Sequence, residues 1–151
     1  MMKSEPTAYS INDLVRDKVT CWDGVRNYQA RNFMRDDMQE GDGVLFYHSN
    51  MTIPCIAGEA KVTKVGYPDF TAWDTEDPHY DPKSCSDHPT WFMVDVQFVR
   101  ACRTVITLPR LKEISGLEGM EVVKRGSRLS VQPVSPAEWK IIMTLSEWRA
   151  L

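Results

Sequence analysis

Between positions 21 and 33 the chain reads Cys21-Trp22-Asp23-Gly24-Val25-Arg26-Asn27-Tyr28-Gln29-Ala30-Arg31-Asn32-Phe33, gathering aromatic, carboxylate, amide and guanidinium groups around one turn and the element after it. Such groups hold a flat, polar ligand: an aromatic face stacks on it, while amides, carboxylates and guanidinium forks reach its edge or its phosphates. Asp23-Gly24 is a turn signal. A helix beginning near Val25 would put Val25, Tyr28 or Gln29, and Phe33 on one face, with Arg26, Arg31 and Arg35 opposite and Asn27 nearby. The same residues also admit a structural reading, with Trp22 as a core anchor and the arginines as a solvated face.

Glu5, Asp23, His48 and Ser49 are types that could transfer protons or attack as nucleophiles if the fold gathered them. The chain carries no G-x-S-x-G elbow, metal-ligand spacing, phosphate-cradling glycine loop or dinucleotide fingerprint. Binding therefore stands ahead of catalysis, and neither a metal nor a cofactor is expected; an enzyme working through Glu5, Asp23 and His48 is the alternative.

The formal net charge of −3 argues against a protein that coats nucleic acid by bulk electrostatics. Any such contact must be local. Residues 101–151 carry 8 Lys and Arg against 5 Asp and Glu, whereas the first 100 carry 10 against 16. Lys124, Arg125 and Arg128 lie in the basic part and could join Arg26, Arg31 and Arg35 if the fold brings them together. At 151 residues with 42% hydrophobic content, one globular domain over 1–151 accounts for the chain. No apolar run approaches the roughly 20 residues that cross a bilayer, and the N-terminus lacks the apolar stretch of a secretory signal, so a cytoplasmic protein without membrane contact is expected; separately, a monomer is expected. Cys21, Cys55, Cys85 and Cys102 show no C-x-x-C pairing and read as free thiols, Cys55 and Cys102 in apolar surroundings and Cys85 exposed.

Strands alternate irregularly with short helices. Residues 1–4 read as a strand; Ser10 caps a helix through Arg16 with Asp13 three residues on; residues 44–48, 55–65 and 91–105 read as strands, the last two from their alternation. Pro109 opens a short helix over 108–114, residues 127–134 read as a last strand, and Ser135-Pro136-Ala137-Glu138 is a capping box opening a C-terminal helix. Residues 67–89 hold four prolines and six acids, with Phe70, Trp73, His79 and Tyr80 among them. A loop that long is expected to fold back as a lid or clamp. The pattern fits an α+β domain on a strongly bent or barrel-like sheet, with a ligand site at the mouth.

Lys3-Ser4-Glu5-Pro6, the Trp22 to Asn32 run, Phe46-Tyr47-His48-Ser49-Asn50, Tyr67-Pro68-Asp69 with His79-Tyr80-Asp81-Pro82, Met93-Val94-Asp95-Val96 and Arg128-Leu129-Ser130-Val131-Gln132-Pro133 together resemble an EVE domain. The resemblance spans almost the whole chain. It implies a PUA-like fold, a mixed β-barrel flanked by short helices and related to the YTH and ASCH domains, and a non-catalytic reader of modified bases, modified cytosine in DNA first and DNA ahead of RNA. The chain departs from the eukaryotic form in lacking a basic N-terminal extension, so a nuclear address is not carried over. Trp22 resembles the tryptophan that stacks on the flipped base in YTH readers, and Glu5 takes the place of a polar residue facing the base edge. An ionised Glu5 accepts only, which favours a base presenting an N–H such as cytosine N4 or adenine N6. The resemblance places Tyr47, His48, Ser49, Arg128 and Ser130 at the pocket mouth; Ser4, Asp23 and Asn27 are expected beside them, and the need for phosphate contacts makes Lys3, Arg26, Arg31, Lys124 and Arg125 a candidate basic rim.

Overall fold

The computed structural model describes residues 1–148. Five strands form one mixed sheet: β1 (Met2–Ser4), β2 (Val19–Cys21), β3 (Gly43–His48), β4 (Cys55–Pro68) and β5 (Phe92–Thr107), in the order β1-β3-β4-β5-β2. Strand β1 runs parallel to β3, and the other neighbours are antiparallel. The β4–β5 hairpin is the spine, and its pairing shifts register at four places. Each irregularity adds local twist and bend, so the sheet curls into a half-barrel whose two edge strands, β1 and β2, share no ladder among the described residues.

Side-chain alternation along β3 divides the interior. Val44 and Phe46 point into a core with Met2, Leu14, Trp22, Met34, Val94 and Val96. Leu45 and Tyr47 point to the other face, onto Ile56, Ile106, Leu111, Ile142 and Trp148. Over Val44–Tyr47 this interior strand is buried on both sides, as a period of two requires when both faces are covered.

Helix α1 (Ile11–Asp17) bridges β1 to β2 and opens with a complete capping box, the Ser10 hydroxyl accepting from the Asp13 N–H while the Asp13 carboxylate accepts from the Ser10 N–H. Helix α3 (Leu108–Glu113) starts with proline in its first turn, and α4 (Pro136–Met143) starts with the capping box of Ser135 and Glu138.

Two expected elements are corrected, and one strand lies outside them. The helix expected from Val25 begins later: Asn27 is extended, caps α2 (Tyr28–Asn32) by accepting from the Ala30 N–H, and a π turn over Phe33–Asp37 follows. Its buried side is Ala30 and Met34, and Tyr28 is exposed. The strand expected over 127–134 forms only a bridge, Val131 against Met2, flanked by the Lys3 N–H donating to the Ser130 carbonyl and the Gln132 N–H to the Met1 carbonyl. Its neighbour β1 has three residues, and Pro133 has no N–H with which to extend the pairing. Strand β2 had no sequence signal, because three residues are too few to show a period.

The loop expected over 67–89 starts two residues later, since β4 runs through Pro68; residues 69–89 contain one short 3-10 turn, Phe70–Trp73, and otherwise form a strap tied to the body by side chains. Asp69 is fully buried and holds the Gly24 N–H, the Arg26 guanidinium and the Thr71 hydroxyl. The Trp91 indole donates to Asp81 at 2.7 Å, and the Trp73 indole to the Ser84 hydroxyl at 3.3 Å. Phe70 and Tyr80 nevertheless remain exposed.

Candidate functional site

A cleft of about 710 Å³ opens where the half-barrel fails to close, between the end of β1 and the end of β2. One wall is Lys3, Ser4 and Glu5, backed by Ser49, Arg128 and Ser130; the facing wall is Thr20 to Gly24 with His79, and Ala8 and Tyr9 line the connection between them. The first wall is assembled by main-chain bonds: the Ser49 N–H donates to the Ser4 carbonyl at 3.0 Å, and the Lys3 N–H to the Ser130 carbonyl at 2.8 Å. The Ser4 hydroxyl donates to the Tyr9 carbonyl at 2.6 Å and fixes the turn into α1.

Trp22 sits at the back of the cleft. Its ring packs edge to face on Phe46, with 5.5 Å between centroids, and only 8% of the residue is exposed. It is therefore a core residue with one part of its ring on the cleft. The Trp22 N–H donates to the Val94 carbonyl at 2.8 Å, so its backbone is locked to β5.

Glu5 is exposed, and among the described residues its carboxylate has neither an ion pair nor a hydrogen bond. An acceptor at a pocket wall is thereby open to a ligand. Asp23 stands on the facing rim. Desolvation first, then the Asp69 charge, raises the pKa of its carboxyl above the usual carboxylate value, with His79 and Arg26 pulling the other way. The neighbouring Cys21 thiol is pushed up by burial and by Asp23 and Asp95, which keeps it neutral, the opposite of an activated nucleophile.

Several residues placed at the site by sequence have other positions. Tyr47 lies in the second core beneath the Lys3 ammonium, 5.9 Å from ring centre to nitrogen, and burial pushes its phenol up to about 12. His48 turns its Nε2 to the Ile11 N–H at 3.0 Å, so it accepts there and does not line the cleft. Asn27 is the α2 cap. Arg26 pairs with Asp69 at 2.8 Å and donates twice to the His79 carbonyl, which makes it the clasp of the strap. Arg31 donates to the Thr90 carbonyl and stacks over Tyr28. Lys124 pairs with Glu121, while Arg125 and Arg128 are exposed and have no ion pair among the described residues. Among the described lysines and arginines, only Lys3 and Arg128 line the cleft.

Tyr9, Thr20 and His79 belong to the cleft without having been singled out for it. His79 had the one available signal, an aromatic ring in a loop expected to fold back. Gly24, with φ of +76°, lies directly beneath it: a Cβ there would stand 2.7 Å from the His79 ring.

A half-barrel with a polar cleft at its open seam, flanked by short helices, is the PUA-like architecture. Within that class the family model of the EVE domain matches residues 1–145, and the chain belongs to the EVE domain family. It is 44% identical to human thymocyte nuclear protein 1 over 97% of this chain and 73% of that protein. A crystal structure of a protein from Pseudomonas putida is 48% identical and covers 95% of both chains with a TM-score of 0.91. The crystal structure of human THYN1 protein in complex with 5-methylcytosine containing DNA is 43% identical, covering 99% of this chain and 97% of that one, with a TM-score of 0.90.

Proposed function

We propose that the cleft between β1 and β2 takes up a modified cytosine from DNA, and that the protein binds this base without transforming it. The observation that carries the reading is the likeness to human THYN1, solved in complex with 5-methylcytosine containing DNA, over nearly the full length of both chains. The chemistry of the cleft agrees with it. Trp22 offers part of an aromatic surface at the back, Glu5 an unpaired acceptor for the cytosine N4 amino group, and Lys3 and Arg128 positive charge for the flanking phosphates.

Taking a base out of a duplex costs a few kcal/mol, and stacking on an aromatic ring returns roughly 1–3 kcal/mol. Stacking alone is about break-even. The edge contact from Glu5 and the two cations supply the surplus. Binding is favoured over catalysis because the candidate base His48 has its Nε2 occupied by the Ile11 N–H, away from the cleft.

Fluorescence anisotropy on oligonucleotides that differ only in one base, 5-methylcytosine, cytosine or thymine, tests this reading. Wild type should rank 5-methylcytosine first and thymine last, since thymine presents a carbonyl oxygen where cytosine presents N4–H. Glu5→Gln replaces a charged acceptor with an amide and should blur that ranking, lowering affinity for the cytosines about tenfold or more. An unaltered ranking in Glu5→Gln, with a changed melting temperature only, would make Glu5 a structural residue.

A further inference from the structure

The loop between β3 and β4, residues 49–54, adjoins the cleft through Ser49 and carries two long apolar side chains into solvent, Met51 at 41% and Ile53 at 51% exposure. Single exposed apolar residues are ordinary. These two differ in how firmly they are presented. At one end the Ser49 N–H is tied to the Ser4 carbonyl, and at the other the Pro54 carbonyl accepts from the Leu108 N–H at 2.8 Å. Asn50 turns the chain outward with a left-handed φ of 51°. The tip is thus a short, pinned loop at the rim of the site.

Charge is distributed unevenly around that rim. The loop Ser49-Asn50-Met51-Thr52-Ile53-Pro54 has no ionisable side chain, and Lys3 and Arg128 lie on its side of the cleft. The acids Asp74, Glu76, Asp77, Asp81 and Asp87 belong to the strap, which reaches the facing wall through His79. A polyanion is drawn to the cations and repelled by the strap, so a duplex presenting a base to the cleft would settle over the uncharged loop. Removing that base leaves a gap in the stack, and apolar side chains, methionine and isoleucine among them, are what DNA-distorting proteins insert between base steps.

We propose that Met51 and Ile53 form a wedge that enters the base stack at the gap left by the captured base when the ligand is duplex DNA. The inference rests on the reading of the cleft as a base pocket. Methionine is unbranched and adapts to an irregular slot, while isoleucine is stiff about χ1 and holds its place.

The double variant Met51→Ser, Ile53→Ser tests it, with two forms of the same DNA as probes: a duplex with one 5-methylcytosine, and the single strand containing it. Both residues are exposed, so the melting temperature should not fall. Affinity for the duplex should drop about tenfold or more, in line with the few kcal/mol that base extraction costs, while affinity for the single strand, which has no gap to fill, should stay within about twofold. The 2-aminopurine fluorescence of a base beside the modified cytosine should rise when wild type binds the duplex and rise less with the variant. Unchanged duplex affinity, or an equal loss on both forms, would overturn the wedge while leaving the base pocket standing. Failure of wild type to prefer the modified base in either form would overturn the pocket, and the wedge with it.

Discussion

His79 lies over Gly24 so closely that no side chain fits between them, and the Arg26 guanidinium holds the His79 carbonyl at 2.8 Å from the other side. The acidic strap is thereby fastened to the turn that follows Trp22, and one edge of the cleft depends on a residue 55 positions away in sequence. Gly24→Ala should displace the His79 ring and carry a left-handed backbone penalty of about 1–2 kcal/mol. For a domain of this size that is roughly a 2–8 °C loss in melting temperature, and thermal denaturation would measure it. A variant as stable as wild type would mean that His79 and the backbone of Gly24 yield without cost.

Trp22 must serve both the core and the cleft. Trp22→Ala would remove a large buried ring and cost about 3–5 kcal/mol of stability, which confuses folding with binding. Trp22→Leu keeps apolar volume against Phe46 and removes the stacking surface. It should fold cooperatively and lose roughly 1–3 kcal/mol of base affinity, read by titration with a 5-methylcytosine oligonucleotide. An unchanged dissociation constant would make Trp22 a core residue alone.

His48 sets a pH dependence of stability. Burial holds its imidazole below the usual value of 6.5, and Nε2 accepts from the Ile11 N–H, so protonation there would set two donors against each other. Because the folded pKa is depressed, the stabilisation is complete above the unfolded value and is lost as pH falls from about 6.5 through the folded pKa. Urea midpoints measured between pH 7.5 and 5 should fall toward acid, and His48→Gln, which can still accept through its amide oxygen, should flatten that slope. An identical slope in both proteins would assign the acid sensitivity to other groups.

Much of this frame was legible in sequence where a period or a cap was long enough to be seen. The alternation of Phe92, Val94 and Val96 marks β5, and the boxes at Ser10 and Ser135 mark α1 and α4. What escaped is short or set by partners remote in the chain. Strand β2 has three residues, and α2 starts late because the Asn27 side chain caps it and a π turn takes over at Phe33. Within the cleft, Lys3, Ser4, Glu5, Trp22, Asp23, Ser49, Arg128 and Ser130 converge from four separate segments. Arg26 and Arg31 looked like a free basic face, but Asp69 and the Thr90 carbonyl hold them, partners more than 40 residues away.

Capture of the base in the cleft is tested by a map of amide and indole chemical shifts on titration with a single strand containing one 5-methylcytosine, with the unmodified strand as reference. The shifts specific to the modified base should cluster at residues 3–5, 20–24, 49 and 128–130, with the Trp22 indole N–H among the largest. Modified-base shifts concentrated elsewhere, for example around Arg100, Arg103 and Trp148 on the other face, with the cleft unperturbed, would contradict it.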